Sequence, residues 1–275
     1  MSEDSSAWQQ NRVVPAYRLD RLRERASDVV VVVFVINEGE KVRKQLLRMR
    51  DVCRGIDVVV ADGGSTDGSL ELDFLREAGV TALLTKTGRG KLSAQMRMAF
   101  DFALDDGYDG VITIDGNGKD GVDAIPEFAR LLHEGYDHVQ GSRFISGGEA
   151  INTPLSRLVG LKVLHAPLIS LASGVRQTDT TNGFRAYSRR LLADPEVDVF
   201  RDVFQTYELH YHLAIEAGRL KRFRLIETPV VRAYPKGKVP TKISPVKGNA
   251  HVFGVLLKAV RGEYRSPHGE KGGAL

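Results

Sequence analysis

The chain has 275 residues, a formal charge of +4 and one cysteine, Cys53. Hydrophobic residues at 42% and charged residues at 27% exclude a disordered, collagenous or coiled-coil character, and a lone cysteine excludes an internal disulfide or a Cys-rich metal site and fits a reducing compartment. The opening Met1–Ser6 is acidic and polar, unlike a secretory signal, and the longest clean apolar run, Val29–Ile36, falls far short of the roughly 20 residues that span a bilayer.

Residues 1–27 read as a polar extension with a short helix from Arg18 to Arg25. Val29–Ile36 is apolar and β-branched almost throughout, which predicts a strand buried on both faces. A helix pattern follows through Val42, Leu46, Leu47 and Met49. Ile56–Ala61 predicts a second strand, ending at Asp62-Gly63-Gly64-Ser65-Thr66-Asp67-Gly68. A helix-like stretch then leads to Val80–Leu84, and Gly88-Arg89-Gly90-Lys91 opens a helix through Leu92, Met96, Ala99 and Phe100. Gly110–Ile114 predicts a further strand, closed by Asp115, and Asp137–Gln140 another. This alternation predicts an α/β fold with a mostly parallel sheet over residues 28–248, followed by a C-terminal helix and polar tail over 249–275.

Asn152–Ser173 reads as a leucine-rich helix with Pro154 near its start and Arg157, Lys162 and His165 as polar marks. Its apolar positions are expected to pack into the core rather than to face a lipid. From Arg219 to Arg265 twelve Lys or Arg stand against Glu227 and Glu263, a local charge of +10. That asymmetry predicts an anionic partner: a nucleotide or an anionic membrane surface. Nucleic acid is not expected, because no aromatic interleaving or RNA-binding signature accompanies the charge.

Polar residues follow the strands directly: Asn37 and Glu38, then Asp62, then Asp115. Ligands of open α/β sheets bind beyond the carboxyl ends of the strands, so these positions are expected to line one cleft.

Six segments carry a more specific signal. They are Val35-Ile36-Asn37-Glu38, Asp62–Gly68, Gly88–Ala94, Asp115-Gly116-Asn117, Gly141-Ser142-Arg143-Phe144 and Thr178–Arg185. In this order they resemble the inverting family 2 glycosyltransferases, nucleotide-sugar enzymes with a GT-A fold. Within these the chain is most similar to the branch of dolichyl-phosphate mannose synthase and the polyprenyl-phosphate sugar transferases. The resemblance implies a nucleotide diphosphate sugar donor and a polyprenyl phosphate acceptor, with a glycan hydroxyl as the alternative. A nucleotide-sugar-binding protein without catalysis is a further alternative, motivated by Ala61 and Asn117 where the family carries acids.

The resemblance also implies roles. Asn37, Glu38, Asp62, Gly63, Gly64, Arg89 and Lys91 fall on donor-side segments, as does Arg143. Asp115 and Asn117 stand where the family holds a divalent cation, Mg²⁺ or Mn²⁺, on the diphosphate; the amide at 117 ligates without charge. A hydroxyl acceptor needs a general base, for which Asp179 and Glu208 are the candidates. A phosphate acceptor is already an oxyanion and needs cations, here Arg185 with Lys236 and Lys238 of the basic loop. The expected location is cytoplasmic, peripheral on the membrane face.

Overall fold

The computed structural model describes residues 12–235 and 247–267, the first three of the second stretch by backbone alone. Its main sheet has eight strands. In spatial order these are β1 (Tyr17–Arg21), β4 (Ala82–Lys86), β3 (Asp57–Asp62), β2 (Val29–Val35), β5 (Gly110–Asp115), β8 (Arg185–Ser188), β6 (His138–Ser142) and β9 (Leu225–Pro229). Strands β4, β3, β2 and β5 are mutually parallel; β8 runs antiparallel between β5 and β6, and β9 is parallel to β6. A second, two-stranded sheet pairs β7 (Glu149–Ile151) with β10 (Val231–Ala233) in parallel.

Helices cover both faces, which is why the central strands are apolar without alternation. Val29, Val31 and Val33 of β2 pack with Leu46 of α1 (Glu40–Val52), Leu75 of α2 (Leu72–Glu77) and Phe128 of α4 (Ile125–His133). Val30, Val32 and Phe34 face the other way, toward the layer of Met96 and Phe100 from α3 (Leu92–Asp105) and Leu213 from the later helix Glu208–Arg219.

Two expectations fail. The helix expected over Arg18–Arg25 is instead strand β1, antiparallel to β4. Tyr17 and Leu19 alternate with Arg18 and Asp20, a period of two that suits a sheet edge better than a helix face. The second concerns α5, which runs from Leu155 to Ser173 with a π turn at Leu161–His165. Only four of its nineteen residues, Leu161, Ala166, Ile169 and Ser173, are buried, so it is not the packed core helix its composition predicted. Beyond it lie α6 (Arg189–Leu192), α7 (Glu208–Arg219) and α8 (Lys247–Val260).

Candidate active site

Because β2–β5 are parallel, their carboxyl ends share one edge, and the antiparallel β8 brings the loop before Arg185 to that edge as well. In register, Phe34 of β2 pairs with Asp115 and Val35 with Asp62. The two acids therefore flank the end of β2, two strand spacings or roughly 10 Å apart.

The Asp62 loop is closed on itself. Asp62 accepts from the Ser65 amide at 2.9 and 3.0 Å and from the Ser65 hydroxyl at 2.6 Å. Asn37, in the left-handed region at φ 49°, accepts from the Thr66 amide at 2.8 Å, and its own amide donates to Ser65 Oγ at 2.9 Å. Asp67 accepts from the Gly39 amide at 2.8 Å. Gly63 donates to the Val35 carbonyl, and Gly64 takes φ +97°, a conformation only glycine adopts freely. Glu38 is half-buried at the entry to α1. Arg89 and Lys91 are exposed at the start of α3, on the same edge. Gly90 between them is obligatory: a Cβ there would lie 2.3 Å from Gln205 Oε1 and 2.4 Å from the Ala94 Cβ. Lys86, which the sequence did not single out, is half-buried at the end of β4; desolvation lowers its pKa against the pull of Asp62.

Asp115 is 30% exposed and sits at the centre. Its Oδ2 accepts from Asn117 Nδ2 at 3.2 Å and from Arg232 Nη2 at 3.2 Å. Gly183 lies against the other oxygen; a Cβ there would stand 3.4 Å from Oδ1. Gln45 of α1 clamps the loop, donating to the Asp115 carbonyl at 3.0 Å and accepting from the Gly118 amide at 2.9 Å. The Asp115 carboxylate fits a divalent cation that draws its other ligands from phosphate and water, whereas the Asn117 side-chain oxygen accepts from the Lys119 amide at 3.2 Å and would have to turn to join it. Among the described residues no cluster of three acidic, His or Cys side chains joins them.

Behind Asp115, Arg232 also grips the buried Asp120. Burial works against the Arg232 charge, but Asp120 and Asp115 outweigh it and hold its pKa well above the ordinary value. The pairing follows from β10 being stitched to residues 119–121, through Ala233 N to Lys119 O at 2.8 Å and Gly121 N to Val231 O at 2.9 Å. Next to Arg232, Tyr234 gathers three cations: Lys119 Nζ at 5.3 Å, Arg157 at 5.6 Å and Arg232 at 5.8 Å from its ring centroid. Arg157 Nη1 lies 3.4 Å from the Tyr234 hydroxyl. Burial would raise that hydroxyl's pKa, yet Arg232, Arg157 and Arg143 together lower it. Burial, then Arg232, lowers the pKa of Lys119.

The remaining candidates are engaged elsewhere. Asp179 is fully buried and holds Arg143 through two parallel contacts, 2.6 Å from Nε and 2.8 Å from Nη2. In this geometry it orients Arg143 rather than facing a nucleophile. Arg185, expected to bind an acceptor phosphate, is buried and donates to three carbonyls: Asn182 at 2.8 Å, His210 at 2.7 Å and Thr180 at 2.8 Å. It pins the Thr180–Asn182 loop to α7 and is a positioning residue, because its guanidinium does not reach the cleft surface. Glu208 accepts from the Gln205 amide at 2.9 Å and the Thr206 hydroxyl at 2.6 Å, closing the turn before α7. Lys236 and Lys238 lie outside the described residues.

Residues 30–194, about three fifths of the chain, match the model of Glycosyl transferase family 2. Solved structures of similar shape include glucosyl-3-phosphoglycerate synthase from Mycobacterium tuberculosis. Its complex with Mn²⁺, UDP and phosphoglyceric acid superposes with a TM-score of 0.59 at 17% identity, covering 94% of this chain and 81% of that one. Its complex with Mn²⁺, UDP-glucose and phosphoglyceric acid gives 0.59 at 18% identity, with 94% and 83% covered. A mycobacterial protein of unstated activity gives 0.60 at 16%, with 94% and 78% covered. At these identities the likeness establishes the fold, a GT-A-type α/β arrangement.

Proposed function

The chain belongs to glycosyl transferase family 2, and from that premise we propose that it transfers a sugar from a nucleoside diphosphate to a lipid-linked phosphate, with inversion. The observation that carries this reading is the convergence of Lys119, Arg157 and Arg232 on Tyr234 beside Asp115. Such a basin suits an acceptor that arrives as a phosphate dianion. Asp179 and Glu208, the two candidate bases, are both committed to internal contacts, which favours a nucleophile that needs no deprotonation.

The donor nucleotide occupies the Asn37–Asp62 edge, with its diphosphate over Asp115 and the exposed Arg89 and Lys91 near the α3 start. Asp115, with Asn117 beside it, would hold a divalent cation of the kind that accompanies UDP in the structural relatives, and that cation would supply Lewis-acid assistance to the departing diphosphate. An oxygen of the acceptor phosphate attacks the anomeric carbon from the opposite side. One carbon–oxygen bond forms, the bond to the diphosphate breaks, and the nucleoside diphosphate leaves with the electron pair. No proton moves, because a phosphate monoester is largely a dianion at pH 7. Lys119, Arg157 and Arg232 orient the acceptor and offset the repulsion between two phosphates.

A donor panel assayed with a short-chain prenyl phosphate, the corresponding prenyl alcohol and phosphoglycerate tests the reading. The expected result is nucleoside diphosphate release with the prenyl phosphate and none with the alcohol. Turnover of the alcohol or of phosphoglycerate in its place overturns the acceptor assignment; pyrophosphate release overturns the reaction class.

A further inference from the structure

Helix α5 is long, apolar and largely uncovered. Over the nineteen residues Leu155–Ser173 it is predominantly apolar, yet only Leu161, Ala166, Ile169 and Ser173 are buried. Among the described residues its outward side presents Leu155 (73% exposed), Val159, Val163 (71%) and Leu171 (79%), with Pro167 completing the row. These positions recur every four residues. In a plain α-helix that spacing overruns each turn by roughly 40° and spirals around the axis. The π turn at Leu161–His165 falls in the middle of the row, and its wider turn takes back part of the overrun. The exposed apolar side chains thereby stay on one side.

The charge around this row has one sign. From Ala150 to Thr178 there is no Asp or Glu, whereas Arg157, Lys162 and Arg176 are present. Lys162 is exposed, its Nζ 5.0 Å from the Phe144 ring centroid. The inward side is fixed to the protein. Leu161, Ala166, Ile169 and Ser173 are buried, Gln177 donates to the Ala214 carbonyl of α7 at 3.0 Å, and the His165 and Tyr211 rings meet at 5.9 Å. A helix held along one side lies on a surface and does not cross it.

We infer that α5 is an interfacial docking helix whose Leu155–Leu171 row enters the headgroup boundary of an anionic bilayer, with Lys162 and Arg176 meeting the lipid phosphates. This deepens the lipid-phosphate reading and rests on it for its purpose. The helix starts at the cation basin, where Asn152 donates to the Tyr234 carbonyl at 3.1 Å and Arg157 meets the Tyr234 hydroxyl. A prenyl tail embedded in the same boundary presents its phosphate at that mouth. A second copy of the chain is the weaker occupant: a two-fold contact through this face sets the cations against themselves, with no carboxylate on the helix to pair them.

The test is co-sedimentation of the full chain with phosphatidylcholine vesicles, with and without phosphatidylglycerol, in the absence of donor and acceptor. Binding is expected only with phosphatidylglycerol, weakening as salt rises. The double variant Val163→Glu/Leu171→Glu is expected to lower partitioning about tenfold or more while leaving turnover of a water-soluble short-chain prenyl phosphate within about twofold of the parent. As a second readout, Val163→Trp in a Trp8→Phe background should shift its emission to the blue on vesicle addition. No binding at low salt, unaltered binding by the double variant, or a solution dimer that the double variant dissociates overturns the proposal. Vesicle binding without turnover of any prenyl phosphate supports the docking helix and removes the acceptor assignment instead.

Discussion

Arg232 places its Nη2 3.2 Å from Asp115 Oδ2 while its Nη1 holds the buried Asp120, so one guanidinium spans the rim and the floor of the site. It supplies a fixed positive charge next to the carboxylate whose usual acidic companion is here Asn117. Replacing Arg232 by Met strands Asp120 in a dry environment. The expected destabilisation is about 3–5 kcal/mol, with most of it recovered when Asp120→Leu is added. Urea midpoints of the two single variants and the double variant check this; additive losses would contradict the pairing.

Asp115→Asn is expected to lower kcat about 100- to 1,000-fold with an unchanged circular dichroism spectrum, since Asp115 stands at the rim and Arg232 keeps its buried partner Asp120. Asn117→Asp adds the missing charge and is expected to tighten Mn²⁺, as read by titration calorimetry in the presence of the nucleoside diphosphate. An unchanged Mn²⁺ affinity would place residue 117 outside the metal's reach.

Asp179→Asn and Glu208→Gln are expected to act on stability rather than on chemistry. The first disturbs a buried ion pair with Arg143, the second the turn that starts α7. Each should lower the melting temperature by several degrees while kcat per folded molecule falls less than about tenfold. A lost general base instead costs roughly 100- to 10,000-fold in rate with little change in melting. Parallel melting curves and active-site-normalised kinetics separate the two.

Much of this arrangement is legible in the sequence, and the limits are physical. Asp62 and Asp115 were readable because each directly follows an apolar strand, and parallel strands put their ends together. The partners of Asp179 and Arg185 were not, because a buried charge chooses its partner through tertiary packing: Arg143 lies 36 residues from Asp179, and Arg185 spends its donors on carbonyls. Arg232 and Tyr234 were visible only as members of a basic stretch. Their contact with Asp115 and Asp120 depends on β10 meeting the 119–121 segment, a pairing that no local pattern announces. Gln45 looks like any helix amide until the loop it clamps is in place. Helix α5 has the composition of either a core helix or a surface one, and only the packing of its neighbours decides between them.

Acid should unfold this protein early. Burial pushes His212 down to about 4 and His138 down to about 3, so both are neutral when folded and accept a proton more readily when unfolded. Their contribution is complete above the ordinary value of 6.5 and is lost as pH falls from there toward 4 and then 3. The slope is on the order of 1 kcal/mol per pH unit for each histidine. Urea midpoints at pH 7.5, 5.5 and 4.5 should therefore decline steadily; a flat profile over that interval would mean that these rings are hydrated.

Strand β1 has a consequence for solution behaviour. Among the described residues it is the last strand on its side of the sheet, and its sequence Tyr-Arg-Leu-Asp-Arg offers charges rather than a smooth apolar ribbon to any strand approaching from outside. Without it, β4 becomes the border, and the alternate backbone groups of Ala82–Lys86 that had paired with β1 lie open beside apolar side chains. A chain shortened past Arg21 thus gains a sticky seam along which copies can polymerise edge to edge. Those few charged residues, remote from the chemistry, keep the molecules apart from one another.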